Sequence, residues 1–143
     1  MFMGEYSHSI DTKGRLIVPS KFRELLGEHF VVTKGLDGCL WVFPEEEWND
    51  WYEKLRSLPV ANKGARDFVR SFMANALDAE LDKQGRILLP QNLREAGHLD
   101  KDVILVGTGP RIEIWDKTSY EDSVAQVDTD TIAEQMGEWG FGI

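Results

Sequence analysis

The chain has 143 residues, 42% of them apolar, a formal net charge of -9 and a single cysteine, Cys39. That is enough for one sizeable core or two very small ones, within the range of an ordinary folded domain. It excludes an intrachain disulfide, a bilayer-spanning run of roughly 18 to 20 apolar residues and a secretory leader, so a soluble cytoplasmic protein with no membrane partner is expected.

Alternation in SHSID (Ser7 to Asp11) predicts a strand, a turn follows at Gly14, and RLIV (Arg15 to Val18) returns as a second strand, making a hairpin. Pro19 suits the first turn of a short helix and Gly27 its stop. On that helix Phe22, Leu25 and Leu26 share one face, with Lys21, Arg23 and Glu24 facing away. HFVVTK (His29 to Lys34) and CLWVF (Cys39 to Phe43) form a further strand pair around Asp37-Gly38. Pro44 opens a helix whose Glu45, Glu46 and Glu47 complement the positive end of its dipole. Its apolar stripe is Trp48, Trp51, Tyr52, Leu55 and Leu58, and Pro59 ends it. The next helix carries Ala65, Phe68, Val69, Phe72, Met73 and Ala76 inward, with Arg66, Asp67 and Arg70 outward. These stripes read as core, or in part as subunit contact.

The pattern then starts again. DAELD (Asp78 to Asp82), a turn at Gly85, RILL (Arg86 to Leu89), Pro90 and Gly97 repeat the opening hairpin and helix. DVILVG (Asp102 to Gly107) and RIEIW (Arg111 to Trp115) repeat the second strand pair around Gly109-Pro110. Thr118 and Glu121 make a capping box for a helix to about Val127. An acidic tail from Asp128 ends in Trp139, Gly140 and Phe141. The expected division is 1–58 as first repeat with its helix, 59–77 as inter-repeat helix, 78–127 as second repeat with its helix, and 128–143 as tail.

At an offset of 71, Asp11 aligns with Asp82, Gly14 with Gly85, Arg15 with Arg86, Pro19 with Pro90, Arg23 with Arg94 and Glu24 with Glu95. Six identities at framework positions in so short a window argue for a duplicated module related by a pseudo-twofold axis. Both copies are basic islands in an acidic chain. His8 to Arg23 carries Lys13, Arg15, Lys21 and Arg23 against Asp11, and Asp82 to Arg94 carries Lys83, Arg86 and Arg94 against Asp82. From Asp116 onward one lysine faces seven acids.

The residues of an active site are missing. His8, His29 and His98 sit at no metal-ligand spacing with one another or with Cys39. GTGPR (Gly107 to Arg111) lacks the Gly-Lys-Ser/Thr ending of a phosphate loop. No enzyme, cofactor or metal is expected. What the repeated Asp-x-x-Gly-Arg offers instead is an arginine whose planar fork matches guanine O6 and N7 or phosphate oxygens. An aspartate four residues earlier, folded back across a glycine turn, can bind the turn's N–H groups and clamp the guanidinium. One such turn is no more than a surface ion pair worth about 0 to 1 kcal/mol. A second copy that keeps its basic residues shifts the balance toward binding.

The paired Asp-x-x-x-Arg turns, followed by LIVPSKFR or ILLPQNLR and preceded by MFMGEYSHSID, resemble the MraZ family of the AbrB-like, swapped-hairpin transcription factors. The resemblance implies an α+β fold, a duplicated AbrB-like module forming an intrachain pseudodimeric double-split β-barrel with flanking helices. It implies homo-oligomeric rings of about eight to twelve subunits and binding to double-stranded promoter DNA at short direct repeats. It further implies repression of a division and cell-wall gene cluster that includes the regulator's own gene, in the nucleoid. The family's signature positions fall on Asp11, Arg15, Asp82 and Arg86, and charge and proximity add Lys13, Lys21, Arg23, Lys83 and Arg94 as phosphate contacts. The rival readings are an antitoxin-like module that binds a protein through its apolar helices, and a hydrolase built on His8.

Overall fold

The computed structural model describes residues 1–142; Ile143, the last residue of the expected tail, lies outside them. The fold is mixed α+β. Eight strands run β1 Phe2–Ser9, β2 Arg15–Ile17, β3 Phe30–Lys34, β4 Leu40–Pro44, β5 Leu77–Ala79, β6 Arg86–Leu88, β7 Asp102–Gly109 and β8 Ile112–Asp116. The helices are α1 Ser20–Leu26, α2 Glu45–Arg56, α3 Lys63–Met73, α4 Gln91–Ala96, α5 Lys117–Ala125 and α6 Thr129–Met136. A short 3-10 turn, Gly137–Trp139, follows α6.

The expected opening hairpins do not form as ladders. β1 pairs instead with β7 of the other copy, from Phe2 opposite Gly109 to Ser9 opposite Asp102, and β5 pairs with β3. β2 pairs with β6, so both arms of each expected hairpin are exchanged. The buried apolar side chains of the exchanged arms all enter one core shared by both copies, and Phe2 and Tyr6 of β1 still pack edge-on against Phe22 of their own copy. The result is a six-stranded antiparallel sheet ordered β1-β7-β8-β4-β3-β5 and a separate β2-β6 ribbon. Read in repeat units, the sheet order is the same from either edge.

One core serves both copies. Leu16, Phe22, Leu26, Val32 and Leu40 of the first pack with Ile87, Leu93, Val103, Leu105 and Ile114 of the second. A second, aromatic cluster holds Trp41, Phe43, Leu55, Phe72 and Trp115, with Trp48 and Trp51 at its edge. Arg111 lies over it, its Cζ 4.0 Å from the Trp41 ring centroid, a cation–π contact. The buried Thr33 hydroxyl donates to the Phe72 carbonyl at 2.6 Å, tying the end of α3 to β3.

Several local expectations shift. Pro19 and Pro90 are the N-cap residues of α1 and α4, one position before the first helical residue. Asp116 caps α5, accepting from the Ser119 N–H, in place of the expected Thr118 box. Asn62 caps α3 in the same way through the Ala65 N–H. Leu25, expected inside with Phe22 and Leu26, is 47% exposed, because only the latter two face the sheet. Tyr52 and Leu58 of the α2 stripe are also exposed. The expected tail contains α6. No helix among the described residues is long and apolar enough to cross a membrane.

Candidate nucleic-acid interface

The chain reverses at Asp11 through a closed loop: the Asp11 N–H donates to the Arg15 carbonyl at 3.0 Å, and the Gly14 N–H donates to the Asp11 carbonyl at 3.0 Å. Gly14 has φ +83, a left-handed conformation that side chains resist. The Asp11 carboxylate then organises the loop from outside. Its Oδ1 accepts the N–H groups of Lys13 and Arg15, both at 2.9 Å, and its Oδ2 accepts Arg15 Nε at 2.6 Å. The second copy repeats every bond. Asp82 takes the N–H groups of Gln84 and Arg86 at 2.9 Å and Arg86 Nε at 2.8 Å, around Gly85 at φ +75.

Both carboxyl groups are held below their ordinary value. The leading cause in each is the hydrogen bond from the arginine's own backbone N–H; partial burial opposes it, and the guanidinium and the second N–H add to it. The carboxylates therefore stay charged. Because each clamp engages only Nε, the two Nη groups of each guanidinium remain for another acceptor.

The ribbon joins the two loops. Leu16 faces Ile87, Arg15 faces Leu88 and Arg86 faces Ile17. Beyond the ladder, the Val18 N–H donates to the Gly85 carbonyl at 2.9 Å and the Leu89 N–H to the Gly14 carbonyl at 2.8 Å. Each loop is thus fixed by the strand of the other copy. Strand alternation puts Leu16 and Ile87 inward, both buried, and sets Arg15, Ile17, Arg86 and Leu88 on the outer face. Ile17 is 44% and Leu88 59% exposed. An outer face with two clamped arginines and two bare aliphatic side chains was not expected from the sequence, where Ile17 and Leu88 read as ordinary strand residues. The signal that could have found them is period-two alternation: with Leu16 and Ile87 inward, their strand neighbours Ile17 and Leu88 face outward.

The helix arginines cross over. Arg23 on α1 donates from Nη1 to the Val18 carbonyl at 2.7 Å and lies against Gly85, where a Cβ would come 2.7 Å from the same nitrogen. Arg94 on α4 lies against Gly14, and its Nε is buried without a partner. The structure therefore groups Arg15 with Arg94, and Arg86 with Arg23. Lys13 and Lys83 sit exposed within the loops. Lys21 does not join this group; it borders a cleft against Met3 and Tyr6 of β1.

No group of three or more metal-ligating side chains occurs among the described residues. His8, on β1 opposite Val103, makes no such cluster.

Comparison with known proteins agrees with the duplication. The family model described as "MraZ protein, putative antitoxin-like" matches twice, over residues 1–71 and 72–137. A relative named Transcriptional regulator MraZ from Lachnoclostridium phytofermentans is 59% identical over 141 residues, covering 99% of both chains. Relatives of the same name from Acetivibrio thermocellus and Clostridium tetani are 54% and 51% identical, each over 99% of this chain and all of the relative. The two halves that exchange strands here are the two halves the family model matches, and the chain belongs to the MraZ family.

Proposed function

We propose that this chain is a transcriptional regulator that binds double-stranded DNA through the outer face of the β2–β6 ribbon and its two loops. The observation that carries this reading is the identical clamp on Arg15 and Arg86, held by reciprocal strands and flanked by Arg94 and Arg23. The major groove admits a two-stranded ribbon, and a pre-set guanidinium loses little freedom on reaching guanine O6 and N7 or a phosphate. Ile17 and Leu88 supply apolar contact for thymine methyl groups, while Lys13 and Lys83 set register on phosphates. Lys21 has at most a peripheral part.

Family membership supports the finer reading: an AbrB-like pseudodimer of double-split barrel type, assembled into rings and acting in the nucleoid. The target in that reading is a set of direct repeats upstream of a division and cell-wall gene cluster, where the protein acts as a repressor. Assembly resolves the charge problem of an acidic DNA binder, since it gathers several basic ribbons on one surface and multiplies weak contacts on repeated sites. The reading is regulatory and not enzymatic.

Selection of fragments bound by the full chain from the host's own DNA tests the reading. Enrichment of a short, regularly spaced repeat is expected. Recovery of fragments without a common sequence would overturn sequence-specific binding.

A further inference from the structure

Between the end of α2 and α3 lies an open groove of about 460 Å³, within the usual ~300–1,000 Å³ of binding pockets. Its floor is apolar, built from Leu55, Leu58, Val60, Val69 and Met73. Of these only Leu55 is buried; Val60 is 79% exposed. The rim is basic: Arg56, Arg66 and Arg70 all border it. Arg56 and Arg70 each have an exposed partner on their own helix, Glu53 at 3.6 Å and Asp67 at 2.8 Å, and Arg66 donates to the Val60 carbonyl at 2.9 Å. Such exposed pairs are weak and exchange readily.

The C-terminal segment has the complementary character. Residues 128–142 carry Asp128, Asp130, Glu134 and Glu138 and no lysine or arginine. The same segment exposes Ile132, Trp139 and Phe141, the tryptophan at 84%. An isolated acidic helix of eight residues gains little from its own propensity and needs a surface to cover its apolar side. α5, which leads into this segment, packs on β7 and β8, whereas α2 and α3 pack on β3 and β4. Groove and tail are therefore carried by opposite halves of one sheet, so a contact between them on two copies would be heterologous.

We infer that the acidic segment 128–142 of one copy docks in the arginine-rimmed groove between α2 and α3 of a second copy. Trp139 and Phe141 fill the apolar floor, and Glu134 and Glu138 reach the arginines. The contact joins two different surfaces, so it propagates from copy to copy and closes where the rotation allows. It also draws the acidic tail onto a basic rim away from the ribbon. The inference does not depend on DNA binding.

Two measurements on the full chain test it. In sedimentation, Arg66→Glu with Arg70→Glu, and separately Glu134→Arg with Glu138→Arg, reduce the assembly toward the 16.3 kDa of one chain. Combining all four changes restores it. An unchanged mass in both pairs overturns the inference and leaves the groove to a different protein. The second measurement mixes Val60→Cys protein with Trp139→Cys protein and adds a short bis-maleimide; the native Cys39 is buried and stays silent. A covalent heterodimer is expected. The absence of a covalent heterodimer overturns the inference.

Discussion

Leu16 faces Ile87 at the centre of the β2–β6 ribbon, and the two are the same position of the two repeats. Both side chains are buried to 1% exposure or less. One apolar pair therefore holds both arginine loops in place, and neither loop can shift without the other. Leu16→Ala removes buried methyl groups from a site closed on all sides, at an expected cost of about 2–5 kcal/mol. Urea denaturation checks this: the midpoint falls while the slope stays constant.

The two loop glycines differ in what surrounds them. A Cβ at Gly14 would meet the Leu89 carbonyl oxygen at 2.9 Å, backbone of a residue whose own N–H is tied to the Gly14 carbonyl. A Cβ at Gly85 would meet the Arg23 side chain at 2.7 Å, which can swing aside. Both substitutions carry the left-handed penalty of about 1–2 kcal/mol. Thermal melts should show Gly14→Ala as the more destabilising, and Gly85→Ala should weaken DNA binding through displaced Arg23.

Asp11 and Asp82 are held below the ordinary carboxyl value in the folded chain. A group whose folded value is depressed stabilises the fold above its unfolded value, near pH 4, and that contribution is lost as pH falls through the folded value. Asp11→Asn with Asp82→Asn should flatten the fall of the urea midpoint below about pH 4. Part of the fall persists, because Thr131 holds Asp128 low in the same way. An acid limb as steep as that of the unsubstituted chain would contradict the clamp.

Ile17 and Leu88 are exposed, so Ile17→Ser with Leu88→Ser should change stability by no more than about 0.5 kcal/mol per site. Affinity for a selected DNA repeat should drop while affinity for unrelated DNA stays the same. Fluorescence anisotropy against both duplexes separates the two. An equal loss on both would show that the pair does not read bases.

The Asp11–Arg15 and Asp82–Arg86 loops were legible in the sequence because their bonds are local, within four residues, and glycine marks the turn. Helices α1 to α5 were legible for the same reason, through prolines, capping residues and apolar spacing; α6 was not, since its stretch reads as an acidic tail. The exchange of strands was not: the alternation of SHSID fits a partner in its own copy or in the other equally well, and only the shared core decides. Arg23 looked like an outward helix residue, and it and Arg94 read as phosphate contacts from their charge; nothing local shows that each leans on the other copy's glycine. The cap at Asp116 was missed because the Thr118–Glu121 pair stood nearby, and Asn62 was not read as a cap at all.

DNA affinity of Arg15→Ala, Arg86→Ala and the double variant, set beside their melting temperatures, tests the role of the ribbon most directly. Each ion pair lies at the surface with its arginine half-buried, and cutting it should cost the fold about 1 kcal/mol, so the melts should move little. Each single change should cost about 1–3 kcal/mol of affinity for the selected repeat, and the double variant should bind no better than to unrelated DNA. Arg15→Lys should keep the charge and still lose discrimination, lacking the planar fork. Unchanged affinity and an unchanged salt slope in the double variant would place DNA binding elsewhere on the chain.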